Sequence, residues 1–165
     1  YGITTGSYNT AIGRQTIHAA DTEDHNTAVG YQAIYAASLA GGEYNVAVGG
    51  YALTAITSGD SNTGLGYQAG QAITSGDNNV MIGYQAGDDI TTCSGVVNIG
   101  DGTDNGGNVN HSIVIGQGAS GKGANTGFIS PNSGAVYQGN NANLALIRSF
   151  ILFIVYQNFS KRFVS

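Results

Sequence analysis

Asn26-Thr-Ala-Val-Gly-Tyr-Gln-Ala33 is the most informative segment of the chain, because its first five residues return along most of the sequence. Each clear copy starts with asparagine, ends with glycine and carries a branched apolar residue before the glycine. The clear copies read NTAIG at 9–13, NTAVG at 26–30, NVAVG at 45–49, NTGLG at 62–66 and NVMIG at 79–83. Two degenerate copies follow, VVNIG at 96–100 and SIVIG at 112–116.

The spacing of these pentads defines the repeating unit. Their final glycines, from Gly13 to Gly116, follow one another at steps of 17, 19, 17, 17, 17 and 16 residues. Such a unit is too short for two-helix repeats, which need more than about 30 residues, and it suits one coil of a β-solenoid. Recurrent glycine also opposes a helix, at about 1 kcal/mol per residue relative to alanine. The sequence therefore predicts an all-β parallel β-solenoid of about seven coils of 16–19 residues.

Alternation within the pentads predicts two contrasting faces of the sheet. The larger apolar side chains are expected to stack in a buried row, one coil upon the next, at a spacing of about 4.8 Å. This structural ladder comprises Ile12, Val29, Val48, Leu65, Ile82, Ile99 and Ile115. The opposite face is small, which permits close backbone approach, and it is expected to meet partner chains in a homotrimer because a thin coil encloses little core. It comprises Ala11, Ala28, Ala47 and Gly64.

Two forms of the repeat resemble known families of fibrous proteins. The segment His111-Ser-Ile-Val-Ile-Gly116, followed by Gln117-Gly-Ala-Ser120, resembles the coil motif of trimeric autotransporter adhesin heads, which are left-handed parallel β-rolls. The N-T-A-[IV]-G-Y-Q-A form at Asn26 to Ala33 resembles repeats of bacteriophage tail fibres and related viral structural proteins. The resemblance covers about residues 1–120 and implies an obligate, left-handed homotrimer of stacked coils. His111 stands where the adhesin motif has asparagine, so any asparagine ladder is expected to break there.

The resemblance implies a structural protein and not an enzyme. The preferred interpretation is a segment of a virion tail fibre that contributes to host attachment, with a host surface glycan or protein as its partner. The alternative is a trimeric adhesin on a bacterial cell surface. A glycan depolymerase is a further alternative, to which the spacer carboxylates are relevant.

The chain divides by composition into three parts. Residues 1–120 carry the repeats, residues 121–143 form a junction with the single proline, and residues 144–165 form an apolar tail. The tail contains LALIRSFILFIVY at 144–156, which is short for a membrane span and is interrupted by Arg148. A membrane partner is therefore not expected. A buried cap, a trimerisation strand, or the loss of an expected chaperone domain are the alternatives for this tail.

Charge and residue types argue against several kinds of partner. Residues 1–143 carry a net charge of −8, which disfavours binding to nucleic acid. The single cysteine, Cys93, can form no internal disulfide and is expected to be a small buried side chain. His18, His25 and His111 have no metal-ligand spacing, so no metal or other cofactor is expected.

Carboxylates are the candidate catalytic groups, and all of them lie in the spacers between strands. Three groups occur, Asp21 with Glu23 and Asp24, Asp88 with Asp89, and Asp101 with Asp104. Glycosidases use such pairs at defined separations, but aspartate is also common in turns, and solvated turn residues are the preferred interpretation. The loop 101–108 offers oxygen donors for calcium, yet it lacks the ordered ligands of an EF-hand.

Two repeating side-chain types suggest surface functions. Tyr31, Tyr67 and Tyr84 each precede glutamine and would form a ladder able to contact a sugar, although packing between coils is the preferred interpretation. Threonine at positions 10, 27 and 63 is reminiscent of ice-binding solenoids. Because valine or isoleucine replaces it in other coils, an inward-facing apolar row that tolerates threonine is preferred.

Overall fold

The computed structural model describes residues 6–17, 23–35 and 42–129, which carry eight strands of three residues each. Each of the seven pentads contributes one strand. The strands are β1 (Thr10–Ile12), β2 (Thr27–Val29), β3 (Val46–Val48), β4 (Thr63–Leu65), β5 (Val80–Ile82), β6 (Val97–Ile99), β7 (Ile113–Ile115) and β8 (Gly127–Ile129).

All eight strands form one parallel sheet in which their spatial order equals their order along the chain. Each strand pairs with the next so that equivalent pentad positions stay in register, as in the pairs Ile12 with Val29 and Val48 with Leu65. The fold is a β-solenoid of about six turns without any helix in the described residues. The prediction of an all-β parallel solenoid is confirmed, with about six turns in place of the seven coils expected.

The sheet continues past the last pentad. Strand β8 pairs with β7 through Val114 with Phe128 and Ile115 with Ile129. This strand lies in the stretch assigned to a junction, and it was not predicted because it lacks both the asparagine and the final glycine of the pentad. Residues 130–165, with Pro131 and the apolar tail, lie outside the described residues.

The direction in which the two sheet faces point is opposite to the prediction. The small residues Ala28, Ala47 and Gly64 are fully buried inside the coil, while the predicted ladder points outward, with Leu65 46% exposed. A Cβ atom added at Gly64 would lie 2.9 Å from Leu53 Cγ. The close neighbour of the small face is therefore the segment that follows the corner glycine in each coil, called here the returning half. The interior therefore requires a small residue where Leu53 faces the strand, whereas the fully buried Met81 takes the same position in β5, next to Gly87. Ala11 in the first described coil is the only exposed member of that predicted face.

The core comes mainly from the returning half of each coil. Isoleucines at 56, 73 and 90 repeat at the same point of successive coils and are fully buried. Ile34 and Leu53 fill a second buried position that faces the strands. The larger side chains of the core thus lie opposite the alanines, which accounts for the absence of bulky residues at Ala28 and Ala47.

Tight corners close each coil. The glycine that ends every pentad has a φ between +132° and +137°. At Gly66, an added Cβ would lie 2.3 Å from the carbonyl oxygen of Gly83 in the next coil, so both the backbone angle and the lack of space require glycine. The second residue after this corner is left-handed too, and it is glutamine in four coils, with φ between 51° and 58°.

A buried column of asparagines joins the coils. The first residue of each clear pentad belongs to it, as Asn62 illustrates: its Nδ2 donates to the carbonyl oxygen of Gly76 at 2.8 Å, and its Oδ1 accepts the backbone N–H of Asn79 at 3.0 Å. Both partners lie in the following coil. The column consists of Asn9, Asn26, Asn45, Asn62 and Asn79.

The asparagine column ends at Val96 and not at His111. Val96 donates its backbone N–H to Asn79 Oδ1 at 2.9 Å but has no amide to continue the chain of bonds. In the next coil Ser112 occupies this column, and its buried hydroxyl has no hydrogen-bond partner. His111 lies one position earlier, where its backbone N–H donates to the Ser94 carbonyl. The break expected at His111 was therefore assigned to the wrong column.

Candidate functional site

The outward side of the sheet, called here the sheet face, is a continuous apolar surface. It consists of the first and third side chains of β1–β8, because the middle residue of each strand points into the coil. Ile12 is 61% exposed, and Ile129 at the other end is 52% exposed. No charged residue occupies any of these positions. Contiguous apolar surfaces of this kind on a folded chain typically mark an interaction site.

The threonines of the pentads also lie on the sheet face. Thr27 pairs with Val46, and Val46 pairs with Thr63, in a column that alternates between threonine and valine over these coils. Val46 is 38% exposed, and Ile113 in the same column is 45% exposed. The inward-facing row expected for the threonines is therefore wrong, because the middle strand residue takes the inward position.

A second surface feature follows the corner glycines and is called here the aromatic ridge. It consists of four tyrosine rings that contact one another in sequence, with centroid separations of 5.2, 5.8 and 5.5 Å. The rings belong to Tyr31, Tyr51, Tyr67 and Tyr84. Of these, Tyr67 is 44% and Tyr84 is 52% exposed. The expected packing between coils occurs, and the same rings also remain accessible.

The ridge stays continuous across an irregular coil. Tyr31, Tyr67 and Tyr84 directly follow the corner glycine, whereas Gly50 takes this position in the intervening coil and Tyr51 comes one residue later. The ring of Tyr51 stands nearly perpendicular to those of Tyr31 and Tyr67, at 84° and 82°. Desolvation, and then the neighbouring Tyr31, raise the pKa of the Tyr51 hydroxyl. Tyr51 was not predicted to belong to this ladder, because it does not precede a glutamine.

Glutamine amides run beside the ridge. Gln32 Nε2 donates to Gln15 Oε1 at 3.2 Å, and Gln85 Nε2 donates to Gln68 Oε1 at 2.9 Å. Tyr51 occupies the glutamine position between these two pairs, as its backbone N–H donates to the Tyr31 carbonyl. The side chains next to the tyrosines thus carry amide donors and acceptors without formal charge.

A separate aromatic stack lies at the start of the described solenoid. The ring of His25 lies between those of Tyr8 and Tyr44, at centroid distances of 4.8 and 5.0 Å. All three residues have left-handed backbone angles near +60°. Ser61 and Asn78 take the same corner in the next coils, so this stack ends after three rings.

Three spacer carboxylates in the described residues have the same structural role. Asp24 accepts the backbone N–H of Ser7, Asp60 accepts that of Glu43 at 2.8 Å, and Asp77 accepts that of Asp60 at 2.9 Å. Each side chain therefore caps a peptide group of the preceding coil. Glu23, of the same predicted cluster, is buried, and Asp21 lies outside the described residues.

Asp89 belongs to one predicted pair of carboxylates and Asp104 to another, and the fold places the two residues near each other. Partial desolvation, and then the negative charge of Asp104, raise the pKa of Asp89. Asp104 accepts the backbone N–H of Gly106 at 2.8 Å. It also accepts the hydroxyl of Ser120 at 3.4 Å, so its side chain has a structural role in its loop.

The loop 101–108 is organised by its own side chains. Asn105 is buried, donates to the Val109 carbonyl at 2.8 Å and accepts the backbone N–H of Asn108 at 2.9 Å. Its Nδ2 also lies 3.4 Å from the sulfur of Cys93, whose pKa is raised by burial. Within the described part of the chain, no three His, Cys, Asp or Glu side chains are grouped so as to hold a metal ion.

Residues 6–17, 23–35 and 42–129 contain no helix with the length and hydrophobicity needed to cross a bilayer. Comparison of the chain with protein-family models, with curated protein sequences and with solved structures found no match. The features of the described residues that bear on function are therefore the sheet face, the aromatic ridge and the spacer carboxylates.

Proposed function

We propose that this chain is a non-enzymatic segment of a homotrimeric fibre, of the kind that forms a virion tail fibre and contributes to host attachment. The observation that carries the proposal is the exposed sheet face. It is uncharged along eight strands and mainly apolar, with threonine in three of them, and Leu65 at its centre is 46% exposed. Because these side chains are already about half buried, covering the rest against an identical surface stabilises each one by about 1 kcal/mol.

The sheet face has the features of a surface between copies of one chain. Its side chains are threonine, valine, leucine and isoleucine at a constant parallel spacing, and no charge would have to be desolvated there. Copies related by a rotation about an axis parallel to the solenoid keep their coils stacked in one direction, so equivalent coils of the copies can meet at the same height around that axis. The number of three copies and a left-handed coil come from the family resemblance. The small-residue face no longer supports this assembly, because it lies inside the coil.

The arrangement of carboxylates supports a structural role. Asp24, Asp60 and Asp77 cap peptide groups in equivalent positions of successive coils, and such repetition serves stability better than one preorganised site. These contacts favour a shaft over a depolymerase.

The decisive experiment is the mass of the full chain in solution, measured by light scattering coupled to gel filtration. A homotrimer of the 16.8 kDa chain gives roughly 50 kDa. We expect Leu65→Asp to lower this mass, because it places a charge in the contact between copies. Ser75→Asp, at an exposed spacer position away from the sheet, is the matched control and keeps the mass unchanged. A folded wild-type monomer would overturn the proposal.

A further inference from the structure

We propose that the aromatic ridge is a binding surface for a neutral polysaccharide, which lies along the solenoid axis across Tyr31, Tyr51, Tyr67 and Tyr84. This inference rests on the proposed attachment function and gives it a surface and a ligand class. The ridge follows the corner glycines and so is separate from the side chains of the sheet face. A ligand on the ridge and a partner chain on the sheet face therefore use different residues.

The fold does not require tyrosine at this corner. The same position is Arg14 in the first described coil, Gly50 in the third and Asp101 in the sixth. The backbone bond that joins adjacent coils there persists in each case, from Gln32 to Arg14 at 3.1 Å, and from Gln68 to Gly50 at 2.9 Å. Three tyrosines at a position that tolerates arginine, glycine and aspartate need an explanation other than coil geometry.

The irregular coil gives further support for a role of these rings in binding. Gly50 removes a ring from the column, yet Tyr51 supplies one from the adjacent column, within 5.2 Å of the Tyr31 ring and 5.8 Å of the Tyr67 ring. In the other coils with a ridge tyrosine, that adjacent position is glutamine. The run of rings is therefore unbroken although the sequence that supplies it changes.

The chemistry of the ridge fits a sugar polymer. Tyrosine combines an apolar ring with a hydroxyl, and the neighbouring glutamines add amide groups. Because the rings of Tyr67 and Tyr84 stack on each other at 14°, they offer ring edges and hydroxyls to a ligand, which can pack against a sugar and bond its hydroxyls. No charged side chain lies in the tyrosine and glutamine columns between Arg14 and Asp101. The net charge of −8 over residues 1–143 opposes a polyanion. A neutral glycan is therefore favoured over an acidic one.

The geometry also favours a polymer over a single sugar. The tyrosines are partly exposed and follow one another along several coils, so each offers a shallow contact of low affinity. A chain that spans several rings gains effective concentration with each contact, and three ridges in a trimer add to this. Affinity is therefore expected to rise with the length of the saccharide.

The primary test is the retardation of the full chain in native gels that contain neutral polysaccharides, namely a glucan, a mannan and a galactan in separate gels, with dextran sulfate as the acidic comparison. We expect at least one neutral polymer to retard the protein, and dextran sulfate to leave it unretarded. The chain has ten tyrosines and no tryptophan, so tyrosine fluorescence gives a second readout on the unmodified protein. We expect the retarding polymer to change that fluorescence.

Paired variants locate the surface. Tyr67→Ala with Tyr84→Ala is expected to weaken apparent binding about tenfold, which is typical for the loss of aromatic anchors. Tyr44→Ala is the matched control, since this exposed tyrosine stacks on His25 and lies outside the ridge. Tyr84→Phe keeps the ring and is expected to retain most of the binding. Circular dichroism checks that each variant is folded.

Several results would overturn the inference. Absence of retardation and of a fluorescence change with all the neutral polymers would do so, as would equal binding by the double variant and the wild type. Equal or stronger binding to an unfolded protein such as casein would indicate that the ridge binds peptides and not sugars. Loss of the trimer mass in the double variant would assign it to contact between copies. The mass in solution is measured separately, so failure of sugar binding does not contradict the fibre proposal. A monomeric wild type that binds sugar contradicts the fibre proposal and not the proposed sugar binding.

Discussion

Asn45 Oδ1 accepts hydrogen bonds from both the backbone N–H and the side-chain Nδ2 of Asn62, at 2.9 and 3.1 Å, although the two residues are 17 positions apart in the sequence. Both side chains are fully buried. A buried amide with satisfied partners fixes the register between coils, because any slip leaves peptide groups without partners in a dry interior.

We predict that Asn62→Ala destabilises the protein by about 2–6 kcal/mol, since it leaves the Asn79 N–H and the Gly76 carbonyl unpaired, and each buried orphan costs about 1–3 kcal/mol. Urea unfolding followed by circular dichroism measures the effect. Ser75→Ala, at an exposed position of the following spacer, is expected to change stability by less than about 0.5 kcal/mol. Equal stability of the two variants would contradict the role of the column.

The inward direction of the small residues gives a second prediction. Ala47→Leu is expected to cost about 1–3 kcal/mol or more, because the fully buried Ala47 lies in an interior without space for three extra carbon atoms. Val46→Thr, at the neighbouring outward position, copies the residue of β2 and β4 and is expected to be nearly neutral. Thermal unfolding compares them. A more stable Ala47→Leu protein would show that this interior is wider than described.

The corner glycines give a third prediction. Gly66→Ala is expected to prevent folding or to lower the unfolding free energy by several kcal/mol, since the φ of +136° is unfavourable for alanine and its Cβ would lie 2.3 Å from the Gly83 carbonyl oxygen. Gly107→Ala separates these causes, because Gly107 has a comparable φ of +121° but no atom within 4 Å of the added Cβ. We expect a loss of about 1–3 kcal/mol there. Similar losses in both variants would mean that backbone angle alone accounts for the requirement.

The Asp89 carboxyl gives a prediction about pH. Its pKa is raised in the folded protein, so its contribution to stability is present below the usual aspartate pKa of about 3.9 and is lost as the pH rises through the raised value. Asp89→Asn is therefore expected to be more stable than the wild type at neutral pH, with a flatter decline above pH 4. Asp88→Asn removes a smaller repulsion and is expected to keep most of that decline. Parallel pH profiles for wild type and Asp89→Asn would contradict the prediction.

The period and the register were predictable from the sequence because both depend on local chemistry. Glycine recurs at the corner that ends each pentad, where φ exceeds +130°, and branched residues such as Val29 and Val48 alternate with small ones in the first strands. These signals place the strands and align Ile12, Val29 and Val48 correctly.

Which sheet face points inward was not predictable from the pentads alone. Either face would bury apolar atoms, and the choice depends on the width left by Leu53, Ile56 and their equivalents in the returning half of each coil. Small side chains permit close approach, but this property does not identify the neighbour. The continuity of the aromatic ridge was missed for a related reason, since Tyr51 is one residue out of phase in sequence while its ring is in line in space.

The bonds between coils have a mechanical consequence. Backbone N–H groups such as those of Thr63 and Gly66 bond to the preceding or following coil, so these bonds run along the solenoid axis. Tension applied at the two ends of the chain loads the terminal coil first and peels it from its neighbour, while the interior coils keep all their bonds. Each coil of 17 residues that detaches releases about 58 Å of extended chain. The molecule would therefore yield under load in discrete steps and absorb work, because all the backbone bonds of one coil, and the asparagine amide where present, must break in each step.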